Sequence, residues 1–144
     1  MNFSFYKQIP EKEVMVGILQ IHEDIFHDSS ALIRKMVNKS KILIVVAIKD
    51  SRVVAYKMGY ELSNEKFYSW LGGVDQNYRN LGIATKLMEK QHEYLRKHGY
   101  KIVQTKTKNR WRQMLILNLK NGFNIMDTYT DKNGEIKIIL EKNL

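Results

Sequence analysis

The segment that decides the fold is Trp70-Leu71-Gly72-Gly73-Val74-Asp75-Gln76-Asn77-Tyr78-Arg79-Asn80-Leu81-Gly82-Ile83-Ala84-Thr85-Lys86-Leu87-Met88. Its pattern is an apolar strand, a glycine-bearing turn and an amphipathic helix. The first backbone N–H groups of a helix have no partners inside that helix, and the helix dipole favours negative charge there. Because Gly82 lets the backbone approach phosphate oxygens closely, the turn is predicted to bind the pyrophosphate of a cofactor.

Apolar periodicity and turn residues divide the rest of the chain into short elements. The predicted order is βααβββαβαββ, with no internal repeat and no linker rich in Pro, Gly or Ser. This order predicts a single α+β domain over residues 1–144, with a mixed, mostly antiparallel sheet of about seven strands flanked by about four helices. The predicted strands end at Ile9 and span Ile42–Ile48, Arg52–Leu62, Phe67–Val74, Lys101–Thr107, Phe123–Thr130 and Glu135–Leu140; the predicted helices begin at Pro10, at Ser29 or Ser30, after Gly82 and at Arg110.

The chain contains no cysteine, which excludes a disulfide framework, a thiolate zinc site and a cysteine nucleophile. Its longest apolar run, Ile42–Ile48, is far shorter than the ~20 residues of a membrane-spanning helix, and the N-terminus does not resemble a secretion signal. We therefore expect a cytoplasmic protein without a membrane partner. The histidines at 22, 27, 92 and 98 have no metal-ligand spacing, so no metal is expected.

The net charge of +9 favours an anionic partner. The lysines are spread from Lys7 to Lys142 without a run of five or six, a pattern typical of a solvated surface. A nucleic-acid partner is therefore not expected. The local density of positive charge is highest at Lys101, Lys106, Lys108, Arg110 and Arg112, which could border the cofactor site.

Two motifs resemble those of a known family. The pattern Arg79-x-x-Gly82-x-Ala84, after a strand that ends in Val74, resembles the acyl-CoA signature Q/R-x-x-G-x-G/A of the GNAT N-acetyltransferases. The segment Leu117-Asn118-Leu119-Lys120-Asn121-Gly122-Phe123 is similar to the family's L-Y-x-K-x-G-F. Together with the order of elements, these motifs extend the resemblance over most of the chain and imply a GNAT-like fold.

The resemblance implies acetyl-CoA as the co-substrate. The pyrophosphate would bind the backbone amides of the turn, and the pantetheine arm would enter a gap between the preceding strand and the next one. The glycine pair Gly72–Gly73 permits a bulge and the close approach of a ligand. The implied cofactor-binding residues are Gly72, Gly73, Val74, Arg79, Asn80, Leu81, Gly82, Ile83, Ala84, Thr85 and Asn118.

The chain departs from the family pattern at Asn118, which replaces the tyrosine that usually donates a proton to the leaving thiolate. An asparagine can hydrogen-bond the sulfur or a water but has no readily lost proton. Tyr129 is an alternative phenol, although a residue packed in the sheet explains it as well. The general base is likewise unassigned, because its candidates are also explained as surface charges: Glu23, Asp24, His27 and Glu61.

The resemblance implies an N-acetyltransferase that moves the acetyl group of acetyl-CoA to a primary amine of a small molecule or a protein. The amine would attack directly in a ternary complex. The alternative is a catalytically weak CoA-binding, sensing or interaction module, which the missing tyrosine allows. The sequence does not identify the acceptor amine or exclude another acyl group, and the family's frequent dimerisation leaves a homodimer open.

Overall fold

The computed structural model describes residues 1–144 and has the predicted seven strands and four helices in the predicted order. The α+β prediction is therefore confirmed. The elements are β1 (Asn2–Tyr6), α1 (Lys12–Phe26), α2 (Leu32–Val37), β2 (Leu43–Lys49), β3 (Arg52–Glu61), β4 (Lys66–Val74), α3 (Ile83–Lys97), β5 (Ile102–Lys108), α4 (Arg112–Lys120), β6 (Asn124–Thr130) and β7 (Ile136–Asn143).

The seven strands form one sheet in the order β1-β2-β3-β4-β5-β7-β6. Every neighbouring pair is antiparallel except β4 and β5, which are parallel and joined by the crossover helix α3. The parallel pairing covers only Lys66–Ser69 of β4 and Ile102–Thr105 of β5. Beyond these residues the two strands are not paired, so a gap opens between the carboxyl halves of β4 and β5.

Helices cover the two faces of the sheet, and each face has its own apolar core. On one face, α1 and α2 pack on a cluster that includes Ile18, Ile44 and Val46. On the other face, α3 packs on a cluster that includes Val45 and Leu87. Strand β2 therefore contributes alternate residues to both cores, which confirms that it is covered on both faces.

Strand β4 contains a bulge, but the bulge does not lie at the glycine pair as the sequence suggested. The register with β3 shifts between Leu71, opposite Met58, and Ser69, opposite Gly59, so that Trp70 is the extra residue. Gly73 has a different role, because a Cβ there would lie 2.6 Å from Cδ1 of Ile25. The absence of a side chain therefore allows α1 to pack closely against β4.

Two predicted boundaries are also wrong. Strand β1 ends at Tyr6, because only residues 2–6 pair with β2, and α1 begins at Lys12 with Glu11 rather than Pro10 before it. Neither serine caps α2: residues 29–31 form a short 3-10 helix in which the Ser29 hydroxyl donates to the Glu23 carboxylate. No helix of the chain is both long enough and apolar enough to cross a membrane.

Candidate functional site: a backbone loop beside an open strand edge

The turn between β4 and α3 is held in place by short-range hydrogen bonds. The N–H of Asp75 donates to the carbonyl of Val54 on β3, and the Asp75 carboxylate accepts the N–H of Asn77, both at 2.8 Å. The side chain of Arg79 then turns back, and its Nε donates to the carbonyl of Val74 at 3.2 Å. These bonds fix the path of the chain into α3 without using the backbone N–H groups of residues 79–85.

Seven consecutive backbone N–H groups, from Arg79 to Thr85, have no hydrogen-bond partner in the chain. The first bond at this end of α3 runs from the N–H of Lys86 to the carbonyl of Gly82 at 3.1 Å. Asn80 and Gly82 have φ angles of +62° and +80°, and a Cβ at Gly82 would meet no atom within 4 Å. The loop is therefore open, and its free amides and helix dipole both favour a bound anion.

The carboxyl half of β4 presents a second set of free backbone groups. Gly73 and Asp75 lie opposite Tyr56 and Val54 of β3, and the N–H of Asp75 bonds to Val54. Because backbone groups alternate in direction along a strand, Gly72 and Val74 direct theirs away from β3, toward the gap, where the Val74 carbonyl already accepts the Arg79 side chain. An extended ligand in the gap could therefore pair with Gly72 and Val74 as an added strand would.

Helix α4 packs against β5 on the other side of the gap. Asn118 is its only buried residue, and the Asn118 carboxamide makes no hydrogen bond within the chain. Trp111 precedes the helix and packs edge-on against Phe26 of α1, with ring centroids 6.2 Å apart. Tyr129 lies on β6, exposed, with the Lys106 ammonium 5.3 Å from its ring centre.

The candidate bases occupy different places. Glu23 accepts the Ser29 N–H and hydroxyl, and these bonds lower the pKa of its carboxyl group. Glu61 accepts the hydroxyl of Tyr100 at 2.8 Å. Asp24 and His27 are exposed near the end of α1. None of the four lines the small cavity between α1 and β4 that includes Trp70 and Leu71 in its wall.

A cationic cluster on the α3 face of the sheet consists of the partly buried Lys57 and Lys142 beside the buried ring of His92, whose Nδ1 lies 3.2 Å from the Lys142 ammonium. Lys57 lies opposite Gly72, and burial lowers the pKa of its ammonium group to about 8. Burial, together with the charges of Lys142 and Lys57, lowers the pKa of His92 to about 3. The His92 Nε2 and both polar atoms of the Gln91 side chain are buried without a partner. No carboxylate neutralises this cluster, so the α3 face of the site has a positive potential.

Comparison with known families agrees with this arrangement. A profile described as the acetyltransferase (GNAT) family matches residues 8–115, three quarters of the chain.

The chain belongs to the GNAT acetyltransferase family.

Solved structures show the same fold. The aminoglycoside 6'-N-acetyltransferase from Enterococcus faecium superposes with a TM-score of 0.83 at 12% identity, over 99% of this chain and 97% of that one. The ribosomal-protein-S18-alanine N-acetyltransferase from Escherichia coli gives 0.78 at 14% identity, over 99% and 94%. A GNAT family acetyltransferase from Elizabethkingia anophelis with acetyl-CoA bound gives 0.77 at 16% identity, over 99% of both chains. A search among curated protein sequences finds no significant match.

Sequence reasoning missed three side chains of this GNAT domain that lie beside the carboxyl half of β4: His22, Tyr56 and Asp28. His22 follows Ile18 by four residues and so falls within the apolar stripe of α1, where a polar residue is a signal of a buried contact. Tyr56 sits in a buried strand, where a hydroxyl needs a partner. Nothing in the sequence near Asp28 indicates that it bonds to His22.

Proposed function

We propose that the protein transfers the acetyl group of acetyl-CoA to a primary amine by direct attack in a ternary complex. The observation that carries the proposal is the run of seven free amides from Arg79 to Thr85 beside the unpaired edge of β4. Family membership supports an acyl-CoA-dependent transferase. The amine and the acetyl group are the parts that we add as a proposal.

The residues present fit this co-substrate. The amides of Arg79–Thr85 would bind the pyrophosphate, and the backbone of Gly72 and the N–H of Val74 would pair with the pantetheine arm. The unpartnered carboxamide of Asn118 would hydrogen-bond the arm near its sulfur. Gly73 supports the same strand by letting α1 approach it. The required contacts are thus made mostly by backbone groups.

The chemistry requires a neutral amine, since an ammonium group has no lone pair for attack on the thioester carbonyl. One proton leaves the ammonium before attack, and a second leaves the nitrogen as the amide forms; the thiolate takes up one proton to become the free thiol. The chain would act mainly by holding both substrates together, without a covalent enzyme intermediate. Asn118 cannot supply the thiol proton, so we expect water or Tyr129 to supply it.

Thiol release tests the proposal directly. The protein is incubated with acetyl-CoA and a panel of primary amines, and free thiol is measured with a chromogenic disulfide reagent. Because the chain has no cysteine, the thiol signal comes only from CoA. Amine-dependent release together with an acetylated amine in the mass spectrum is the expected result. No release with any amine, and no rise in melting temperature with acetyl-CoA, would refute it.

A second candidate is a module that binds CoA without efficient turnover. The buried Asn118 in place of a tyrosine favours it, because no phenol lies at that position of α4. This candidate predicts a rise in melting temperature with CoA but no amine-dependent thiol release. The two measurements therefore separate the enzyme from the module.

A further inference from the structure

We propose that the acceptor is a cationic amine on an apolar stem and that Asp28, held by His22 and Tyr56, binds its ammonium group. The proposal rests on the proposed function, because it names the substrate class of the same site. Its structural basis is a chain of three polar side chains that ends in a cavity beside the carboxyl half of β4. Binding of CoA and binding of an amine are measured separately, so the role of Asp28 can fail while the acetyltransferase proposal stands.

The three side chains connect the sheet to the surface. The Nδ1 atom of His22 lies 2.8 Å from the Tyr56 hydroxyl, and Nε2 lies 2.5 Å from Oδ1 of Asp28. His22 and Tyr56 are buried, whereas 55% of the Asp28 side chain is exposed. This row of hydrogen-bonded side chains therefore begins under α1, and only the Asp28 carboxylate at its end is exposed to solvent.

One arrangement of protons satisfies all three groups. Burial, followed by the charge of Asp28, raises the pKa of the Tyr56 phenol, so the phenol keeps its proton and donates it to Nδ1. A neutral His22 then donates Nε2–H to Asp28, and no buried donor is left without an acceptor. Both ring nitrogens are occupied, so His22 is not the base that deprotonates the amine. It acts as a positioning residue for the carboxylate.

The carboxylate faces a small cavity of about 70 Å³. Consecutive residues of a strand normally point to opposite faces, but the bulge at Trp70 places both Trp70 and Leu71 on the α1 face of β4. The cavity therefore adjoins the strand segment that leads into Gly72. It is lined by His22, Phe26, Asp28, Leu32, Lys35, Trp70 and Leu71.

The lining defines the chemistry of the occupant. Four of its seven residues are apolar, and Asp28 is the only anion among them. Lys35 is the only side chain with a permanent positive charge, and it is exposed on α2. The volume is far below the ~300 Å³ of a typical ligand pocket, so only the amine and its first carbons would enter. An ammonium group on an alkyl or aromatic stem matches this combination.

The test uses three small probes of similar shape and different charge: n-butylammonium, n-butanol and butyrate. The chain has two tryptophans, so the indole N–H signal of Trp70 can be assigned with a Trp70→Phe variant and followed by NMR. We expect n-butylammonium to shift the Trp70 signal while the other two probes leave it unchanged. Equal shifts by n-butanol, or no shift by n-butylammonium, would overturn the proposal.

Two substitutions make the test specific. Asp28→Asn keeps an oxygen for His22 Nε2–H but removes the charge, and it should weaken n-butylammonium binding about tenfold or more. Asp24→Asn, in the last turn of α1 and exposed, changes the net charge equally and should bind like the wild type. If both variants behave like the wild type, Asp28 is not the binding group.

The positioning role has its own signature. Nitrogen NMR spectra of the protein with labelled histidine report the tautomer of each ring. The wild type should show His22 protonated at Nε2 alone, and Tyr56→Phe should give a mixture of the two tautomers. A single unchanged tautomer in Tyr56→Phe would contradict the role. The CoA-induced rise in melting temperature should survive in Asp28→Asn. If the wild type shows the CoA-induced rise in melting temperature but no response to n-butylammonium, the acetyltransferase proposal stands and only the assignment of Asp28 to the amine is refuted.

Discussion

The proposed cofactor side, at the gap between β4 and β5, is built from backbone groups, whereas the proposed acceptor side, on the α1 face of β4, is built from side chains. The loop from Arg79 to Thr85 offers free N–H groups of residues adjacent in the sequence. The cavity on the other side joins His22, Asp28 and Trp70 from three separate segments. A backbone site depends on conformation and tolerates most side chains. A side-chain site depends on each residue that lines it.

The largest effect that this comparison predicts is at Gly82, where a side chain would occupy the space of the ligand. Gly82→Glu should weaken CoA binding more than about a hundredfold, because a carboxylate would replace open space beside the free amides and repel the phosphates. The measurement is the CoA-induced rise in melting temperature. At ligand concentrations of about 100 times Kd, the wild type should gain about 2.7 kcal/mol and the variant almost nothing.

Gly134→Glu is the matched control. Gly134 also has a positive φ, +78°, with no atom within 4 Å of a Cβ, but it lies in the β6–β7 hairpin. Both variants therefore carry similar backbone strain and the same change of charge. If both variants lose CoA binding, or neither does, the Gly82 loop is not the anion site.

The second prediction concerns the cationic cluster beneath the cofactor side. The pKa of His92 is near 3 in the folded chain and about 6.5 in an unfolded one, so the unfolded state binds the additional proton between these values. The contribution of His92 to the free energy of unfolding should therefore be fully present above pH 6.5 and be lost as the pH drops toward 3, by up to about 5 kcal/mol.

Urea unfolding of the wild type and of His92→Leu at pH 7 and pH 4.5 measures this dependence. The variant lacks the titrating ring, so its stability should fall less between the two pH values. Glu141, which is bonded to Lys66, and the other carboxylates with lowered pKa remain in both proteins. An equal loss of stability in both proteins would show that His92 is not buried as a neutral ring.

The smallest predicted effect is at Asn118, the one side chain that we assign to the cofactor side. Asn118→Leu removes the carboxamide at nearly constant volume, and one lost neutral hydrogen bond should weaken CoA binding about three- to tenfold. Without CoA, the melting temperature of the variant should not fall, because the carboxamide has no protein partner to lose. An unchanged CoA affinity would remove Asn118 from the site.

Local sequence features allowed most of the fold to be predicted. Each strand and helix has its own periodicity, and Gly99 and Gly122 end α3 and α4 with positive φ as the glycine pattern indicates. The position of the bulge was not predictable from the glycines. It depends on how β3 pairs with β4, and a Cβ at Gly59 of β3 would lie 2.2 Å from the carbonyl oxygen of Tyr68.

The candidate site divides in the same way. The cofactor loop could be predicted because Arg79, Gly82 and Ala84 lie within six residues, at the point where the amphipathic pattern of α3 begins. The acceptor side could not be predicted because Asp28 and Tyr56 are 28 residues apart and are linked through His22 only when α1 packs on β3. Their partnership is a property of tertiary packing rather than of a motif.

The most direct test of the central claim is an NMR titration of the labelled protein with CoA, because it reports on backbone N–H groups one by one. We expect the largest shifts at the amides of Arg79–Thr85, with further shifts at Gly72 and Val74, and we expect these amides to become protected from exchange with solvent. If CoA binds while these signals stay unchanged, or if no backbone signal responds to millimolar CoA, the loop and the edge of β4 are not a CoA site.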